Sequence, residues 1–476
     1  MYRMPAFLMT ALLMASVAIL ALSESAWAAR HPNVLFIAVD DLNDWIEPLG
    51  GHPQTMTPNI DRLVSRGMLF THAYCAAPTC NPSRAALLTG IRPATSGVYH
   101  NPDPWRKALP NAVTLPQHFM ANGYTALGSG KIFHGAFPDP SSWDEYFPSK
   151  TKQRPNDPVP PHRPLNGIPR TAHFDWGPMN VTDQEMGDAQ VVAWISAQLQ
   201  REFDKPFFMA CGLFKPHLPW FVPPKYFNQF PLESIQLPRT IPNDLDDVPA
   251  AGVRLAKPQG DHAKVLKYHQ WSKAVQAYLA CIAFADHQIG RVLDALDRSP
   301  YAQNTIVVFW TDHGWHLGEK RHWRKFTLWE EATRTPLVVI APGVQPGSRC
   351  TRPVNLIDIY PTLIDLCGLT TRSEIEGTSF KPLLDDPTTP WNRPSLTTFG
   401  RNNHALRTER YRYIRYADGS EELYDHDVDP MEWKNLAGDP KYAKLKQEWS
   451  VWFPEKNVPE IKPARKRRQD AARRKS

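Results

Sequence analysis

Cysteine is scarce: the chain has six in 476 residues, at positions 75, 80, 211, 281, 350 and 367. Such wide spacing excludes a disulfide-scaffolded mini-protein and a zinc ribbon, which need clustered thiols; Cys350 and Cys367 are left as a candidate pair. Internal repeats are absent. After the first thirty residues no stretch is long and apolar enough to span a bilayer. Excess charge is nearly absent from the body of the chain. The net charge is +6, but the stretch from Lys462 onward holds eight Lys or Arg and one Asp, a charge of +7, so the preceding residues sum to −1. A near-neutral body argues against a nucleic-acid-binding fold. The basic run, with Lys466-Arg467-Arg468 inside it, reads as a solvated end at 461–476 that could hold a polyanion or a membrane surface.

What is present points to a large soluble protein. Apolar residues make up 42% of the chain, which excludes a disordered one. The 47 prolines imply long irregular connections rather than a helical bundle. Arg3, the apolar run Ala6 to Leu22 and the small-x-small triplet Ala26-Trp27-Ala28 read as a secretory leader over 1–28. The alternative is a membrane anchor, which the shortness of the run and the cleavage site argue against.

Short β-branched runs at Val34 to Val39, Phe207 to Cys211, Thr305 to Trp310 and Leu337 to Ile340 suit strands buried on both faces. Helical patterns lie between them at Pro58 to Arg66, Ser83 to Leu88 and Tyr278 to Leu296. This is an α/β pattern, a large mostly parallel sheet sandwiched by helices, spanning 30–375. The segment Thr151 to Arg170, rich in Pro, Asn and Arg, reads as a surface excursion. From 376 to 460 the pattern changes to a smaller antiparallel sheet plus helix. Tyr411 to Tyr416 and Glu422 to Tyr424 form a hairpin turning at Asp418-Gly419, and Tyr442 to Trp452 forms a last helix.

Two of the strands run into acidic groups, Asp40-Asp41 after the first and Asp312-His313 after the third. Ligands of open parallel sheets sit beyond the carboxyl ends of the strands. If the two strands are neighbours, three carboxylates and an imidazole converge, and a divalent cation relieves their repulsion. Oxygen-rich donors favour calcium or magnesium over zinc. Taken singly, each acidic pair is as well explained by a cap or turn. Cys80-Asn81-Pro82-Ser83-Arg84 is followed by Leu88-Thr89-Gly90. Proline there suits the first turn of a helix, so Cys80 stands at an N-terminus that favours anions and Arg84 lies one turn on. A buried structural cysteine or a plain thiol nucleophile are the alternatives.

The stretch from Cys80 to Gly90 resembles the formylglycine-dependent sulfatases of the alkaline phosphatase superfamily, and the resemblance extends over most of the chain. It includes the opening strand Asn33 to Ile37, the segments Thr57 to Leu63 and Gly67 to Tyr74, and the C-terminal Glu422 to Asp425 and Asp429-Pro430. Gly130-Lys131-Ile132-Phe133-His134, Phe214-Lys215-Pro216-His217-Leu218-Pro219 and Asp312-His313-Gly314-Trp315 with Trp323-Arg324-Lys325 are similar to motifs of the iduronate-2-sulfatase group. His313 stands where many other sulfatases carry asparagine.

The resemblance implies an alkaline phosphatase-like fold and hydrolysis of a sulfate ester, on a sulfated sugar, polysaccharide or small ester. Cys80 would be oxidised to formylglycine by a separate generating enzyme. Asp40, Asp41, Asp312 and His313 would hold one calcium ion, with the converted Cys80 completing the shell. Arg84, Lys131 and Lys325 would stabilise the sulfuryl oxygens, His217 or Lys325 would protonate the departing alcohol, and His134 would take a proton from the second hydroxyl of the hydrated aldehyde. His316, His322 and Arg324 are candidates to face substrate; His72, His100 and His118 are left as structural or surface residues. A mature chain without a transmembrane anchor, exported to periplasm, cell surface or medium, completes the expectation. Two alternatives stand beside it: a phosphate or phosphonate monoester hydrolase of the same superfamily, and an unconverted protein that binds sulfated glycan.

Overall fold

The central strand, β1 (Asn33–Val39), alternates its side chains between two cores. Leu35, Ile37 and Val39 face one, and Val34, Phe36 and Ala38 the other, all fully buried. That two-sided burial is why its sequence is apolar throughout rather than alternating. The computed structural model describes residues 31–171 and 173–461. The expected leader over 1–28 and the basic run from Lys462 lie outside the described residues.

Eight strands form the main sheet. After β1 come β2 (Met68–Phe70), β3 (Thr125–Gly130), β4 (Glu145–Phe147), β5 (Phe207–Leu213), β6 (Thr305–Thr311), β7 (Leu337–Ile340) and β8 (Ser348–Cys350). Their order across the sheet is β8-β2-β7-β6-β1-β5-β3-β4, and only β7 runs against its neighbours. The reason lies in the connection. Between β6 and β7 the chain makes short strands, one 3-10 turn and a four-residue helix (Glu330–Thr333), too short to carry it back across the sheet, so it re-enters from the end it left.

Helices α1 (Pro58–Arg66), α4 (Gly187–Gln198) and α5 (Trp271–Asp297) cover one face. Helices α2 (Cys80–Thr89), α3 (Leu115–Ala121) and α6 (Ile359–Cys367) cover the other. Helix α5 begins seven residues before the expected Tyr278, because Ala274, Val275 and Ala277 continue its buried stripe. Among the described residues no helix is long and apolar enough to cross a membrane. All six cysteines are free buried thiols, so the candidate pair Cys350 and Cys367 is not bonded.

A second, four-stranded antiparallel sheet follows: β9 (Ser395–Thr398), β10 (His404–Arg407), β11 (Tyr411–Arg415) and β12 (Glu421–Asp425). The hairpin between β11 and β12 turns at Asp418-Gly419, with Gly419 at φ 84°. The last helix, α7, is regular only over Ala443–Trp449, with single 3-10 turns on either side. This sheet is bonded to the loop that leads into α2. The Thr397 hydroxyl donates to the Cys75 carbonyl at 2.6 Å, and Thr398 N–H to Ala76 at 2.9 Å.

Candidate active site

In-register pairing of Val39 with both Leu213 and Thr311, and of Gly130 with Gly212, brings four strand ends to one level. Asp40-Asp41 leave β1, Asp312-His313 leave β6, Lys131 leaves β3, and the segment bearing His217 leaves β5. The crossing of β3 and β5 is tight. A Cβ on Gly130 would lie 1.9 Å from the Gly212 carbonyl oxygen, and Gly130 also sits at φ 85°, so Lys131 must be preceded by glycine.

Asp41 turns the chain in the left-handed region at φ 61°, where aspartate is one of the few tolerated side chains. Its N–H donates to Asp312 Oδ1 at 3.2 Å and its carbonyl accepts from the Tyr278 hydroxyl at 2.7 Å. Helix α2 starts at Cys80, not at Ser83, and stops at Gly90 in a left-handed cap. All ten of its residues are buried, and the Ser83 hydroxyl ties it to the Asp312 carbonyl at 2.6 Å. Cys80 Sγ lies 2.9 Å from Lys325 Nζ, 3.3 Å from His313 Nε2 and 3.8 Å from Asp41 Oδ1. Lys325 Nζ also donates to Asp41 Oδ1 at 2.5 Å, Lys131 Nζ donates to Asp40 Oδ2, and His217 Nε2 stands 3.8 Å from Asp41 Oδ2. One ligand atom each from Asp40, Asp41, Cys80, Asp312 and His313 falls within 4.8 Å of all the others.

Burial raises the Asp40 carboxyl, but Lys131, His217, Arg84 and Lys325 outweigh it and hold it well below the usual range. Asp41 goes the other way. Burial pushes it up to about 7; Lys325 opposes the rise, and Asp40 and Cys80 add to it. Its Oδ2 is buried without a hydrogen-bond partner among the described residues. An orphaned carboxylate oxygen facing two more acids and an imidazole fits a divalent cation bound by hard oxygen donors. Burial lowers His134 to about 3, with Lys131 adding to the effect, so the ring is neutral, and its Nδ1 is buried without a partner. Burial likewise holds His217 and His313 neutral and raises the Cys80 thiol.

The structure thus brings together Asp40, Asp41, Cys80, Arg84, Lys131, His217, Asp312, His313 and Lys325, with His134 within reach of their charges. The expectation that Arg84 faces an oxyanion is not met in this arrangement, because the protein engages all three of its nitrogens. Nε donates to Asp312 at 2.9 Å, Nη2 to Asp40 at 3.1 Å, and Nη1 to the carbonyls of Lys131 at 2.5 Å and Ile132 at 3.0 Å. His316 is fully buried and bonded to the Thr327 hydroxyl at 2.8 Å. His322 bonds the carbonyls of Ala256 and Lys325, holding the backbone beside Lys325. Arg324 and His100 line one cavity.

The excursion from Thr151 is not wholly on the surface. Gln153 is buried; its carbonyl accepts from Gly130 N–H, and its amide bonds Phe133 N–H and the His134 carbonyl. Glutamine in a Pro-rich run gives no pattern that would betray this, nor does Tyr278, one apolar-face residue among many on α5. His72 bonds Thr71 Oγ1, and His118 bonds the Tyr360 hydroxyl.

A family model described as Sulfatase matches residues 32–369, and one described as N-sulphoglucosamine sulphohydrolase, C-terminal, matches 318–455. A sulfatase of Formosa agariphila is 40% identical over 444 residues, 90% of this chain and 87% of that protein. Human iduronate 2-sulfatase is 29% identical, over 87% of this chain and 92% of its own. A structure solved in complex with its substrate D-glucosamine-2-N,6-O-disulfate superposes with a TM-score of 0.73 at 21% identity, covering 89% of this chain and 97% of the other. With a family model matched over residues 32–369 and a relative 40% identical over 90% of the chain, the chain belongs to the sulfatase family, hydrolases of sulfate esters.

Proposed function

We propose that the protein hydrolyses a sulfate ester on an anionic saccharide, through a formylglycine made from Cys80 and beside one calcium ion. The observation that carries this is the placement of Cys80 Sγ among Asp41, His313 and Lys325 inside a five-residue cluster of ligand atoms. The cation would be held by Asp40, Asp41, Asp312, His313 and residue 80, and when bound it supplies Lewis-acid polarisation of a sulfuryl oxygen. Formylglycine, as its hydrate, supplies one hydroxyl to attack sulfur and a second to expel sulfate, which a thiol does not.

The chain's own residues do the rest. Three carboxylates, Asp40, Asp41 and Asp312, are matched by three cations, Arg84, Lys131 and Lys325. Any bound divalent ion therefore leaves the centre cationic and attractive to a sulfate. Lys131 and Lys325 are each bonded to a single carboxylate, and the N–H groups they have left can lean onto sulfuryl oxygens; Arg84, bonded to both acids, fixes Asp40 and Asp312 in place. Lys325, or His217 once it has taken up a proton, delivers the proton to the departing alcohol oxygen, and neutral His134 accepts one from residue 80. The saccharide reading is supported by the relatives' names, iduronate 2-sulfatase and a protein whose substrate is a disulfated glucosamine. The leader, the export it implies and a division into 30–375 for chemistry and 376–460 for its support belong to the same reading.

Mass spectrometry across Cys80, on protein made with a formylglycine-generating enzyme, should show a loss of about 18 Da, the change from thiol to aldehyde. Unmodified cysteine under those conditions overturns the mechanism and favours a glycan-binding protein. Chelation of divalent ions should lower Tm by several degrees and turnover of an aryl sulfate by at least about 100-fold, both restored by calcium. Calcium at 100 times its Kd is worth about 2.7 kcal/mol of stability. An unchanged Tm in chelator counts against the ion. Aryl phosphate turnover exceeding aryl sulfate turnover favours the phosphoester alternative.

A further inference from the structure

A cavity of about 590 Å³ lies beside the two segments that carry Cys80 and Lys325. Thr79, which precedes Cys80, and Phe326, which follows Lys325, both line it. Asn101 lines it too, and its Oδ1 accepts from Asn81 N–H at 2.9 Å, tying the wall to the start of α2.

Three of the ten non-glycine residues with positive φ among the described residues line this one cavity: Lys257 at φ 50°, Arg324 at 78° and Phe326 at 80°. Left-handed lysine, arginine and phenylalanine each cost stability, and such strain collects where a ligand is gripped. Arg324 is held ready. Its Nε donates to Asp261 Oδ2 at 2.7 Å and its guanidinium lies 4.8 Å over the Phe174 ring, while neither Nη bonds a described residue. Lys257 makes no ion pair among the described residues, and Asp261 is already offset by Arg324 and by Lys264 at 3.7 Å. A preorganised guanidinium edge and an ammonium without an ion pair among the described residues, on the walls of one cavity, form a receptor for an oxyanion.

We propose that this cavity holds the saccharide from which the sulfate is cleaved, and that Arg324 and Lys257 bind a second anionic group on it, a carboxylate or another sulfate. This rests on the saccharide reading above and adds to it the requirement for a second charge. The test is steady-state kinetics of matured protein on three substrates: an aryl sulfate, a monosulfated uronate saccharide and a disulfated neutral saccharide. Arg324→Ala should lower the ratio of kcat/KM for the dianionic saccharides over the aryl sulfate by about 10- to 100-fold. Arg324→Lys should recover part of it, and Lys257→Ala should lower the same ratio less. A larger fall on the uronate assigns the subsite to carboxylate, and on the disulfated sugar to sulfate. An unchanged ratio in both Arg324→Ala and Lys257→Ala overturns the subsite alone. Wild-type protein that turns over the aryl sulfate but neither saccharide overturns the saccharide reading and the subsite with it.

Discussion

Cys80→Ala, expressed with a formylglycine-generating enzyme, should lose at least about 10⁴-fold in kcat on an aryl sulfate, with a Tm within a few degrees of wild type. The loss is large because the cluster's other members, carboxylates and an imidazole, would be taken up as ligands of the cation, and none of them can become an aldehyde hydrate. The fold should tolerate the change because the removed sulfur is a small group. Lys325 keeps its bond to Asp41 at 2.5 Å, and His313 Nε2 keeps Asp41 and Asp312 at 3.5 and 3.4 Å. Cys80→Ser should be as inactive where serine is not converted, since it offers one hydroxyl where the aldehyde hydrate offers two. Cys75→Ala is the comparison. That thiol is equally buried but only 3.9 Å from a backbone carbonyl, so its loss should cost stability of about 1 kcal/mol and little rate. Retention of more than about 1% of wild-type kcat by Cys80→Ala would remove Cys80 from the chemistry.

The parts of this site that the sequence made legible are those in which one residue type has few other uses. Paired acids at the end of apolar strands and a cysteine before a helix-starting proline each announce a local geometry, and the strand register then does the assembly. The supporting residues were hidden for a physical reason. Gln153 acts through backbone-like hydrogen bonds from within an irregular segment, and Tyr278 through one hydroxyl on a helix chosen for packing, so neither leaves a period or a charge pattern. For Arg84 the spacing shows a place one turn from Cys80, but it does not show that Asp40 and Asp312 engage its nitrogens. The reversed strand Leu337–Ile340 reads like any buried strand, because direction is set by the connection and not by the strand's own residues.

Arg84→Ala should destabilise the protein by about 3–5 kcal/mol, the cost of leaving buried charges unpaired, and should do so most strongly in chelator. The guanidinium is fully buried, 5.4 Å from the Trp310 ring, and joins two carboxylates to two carbonyls. Its removal strands Asp312, whose Oδ2 would keep only His313 at 3.4 Å, while Asp40 retains Lys131. It also frees the Lys131-Ile132 backbone that presents Lys131 and His134, so kcat should fall together with stability. Arg84→Lys separates the two causes. An ammonium restores the charge but cannot span both acids and both carbonyls, so it should recover part of the Tm and little of the rate. Calcium offers the same carboxylates a second source of positive charge. The Tm difference between Arg84→Ala and wild type should therefore shrink as calcium is raised, if the ion and the guanidinium neutralise the same two acids. A difference that is independent of calcium would mean that Arg84 stabilises the fold only as a strut between β1, β6 and the chain after β3, and that the charge count of the centre does not depend on it.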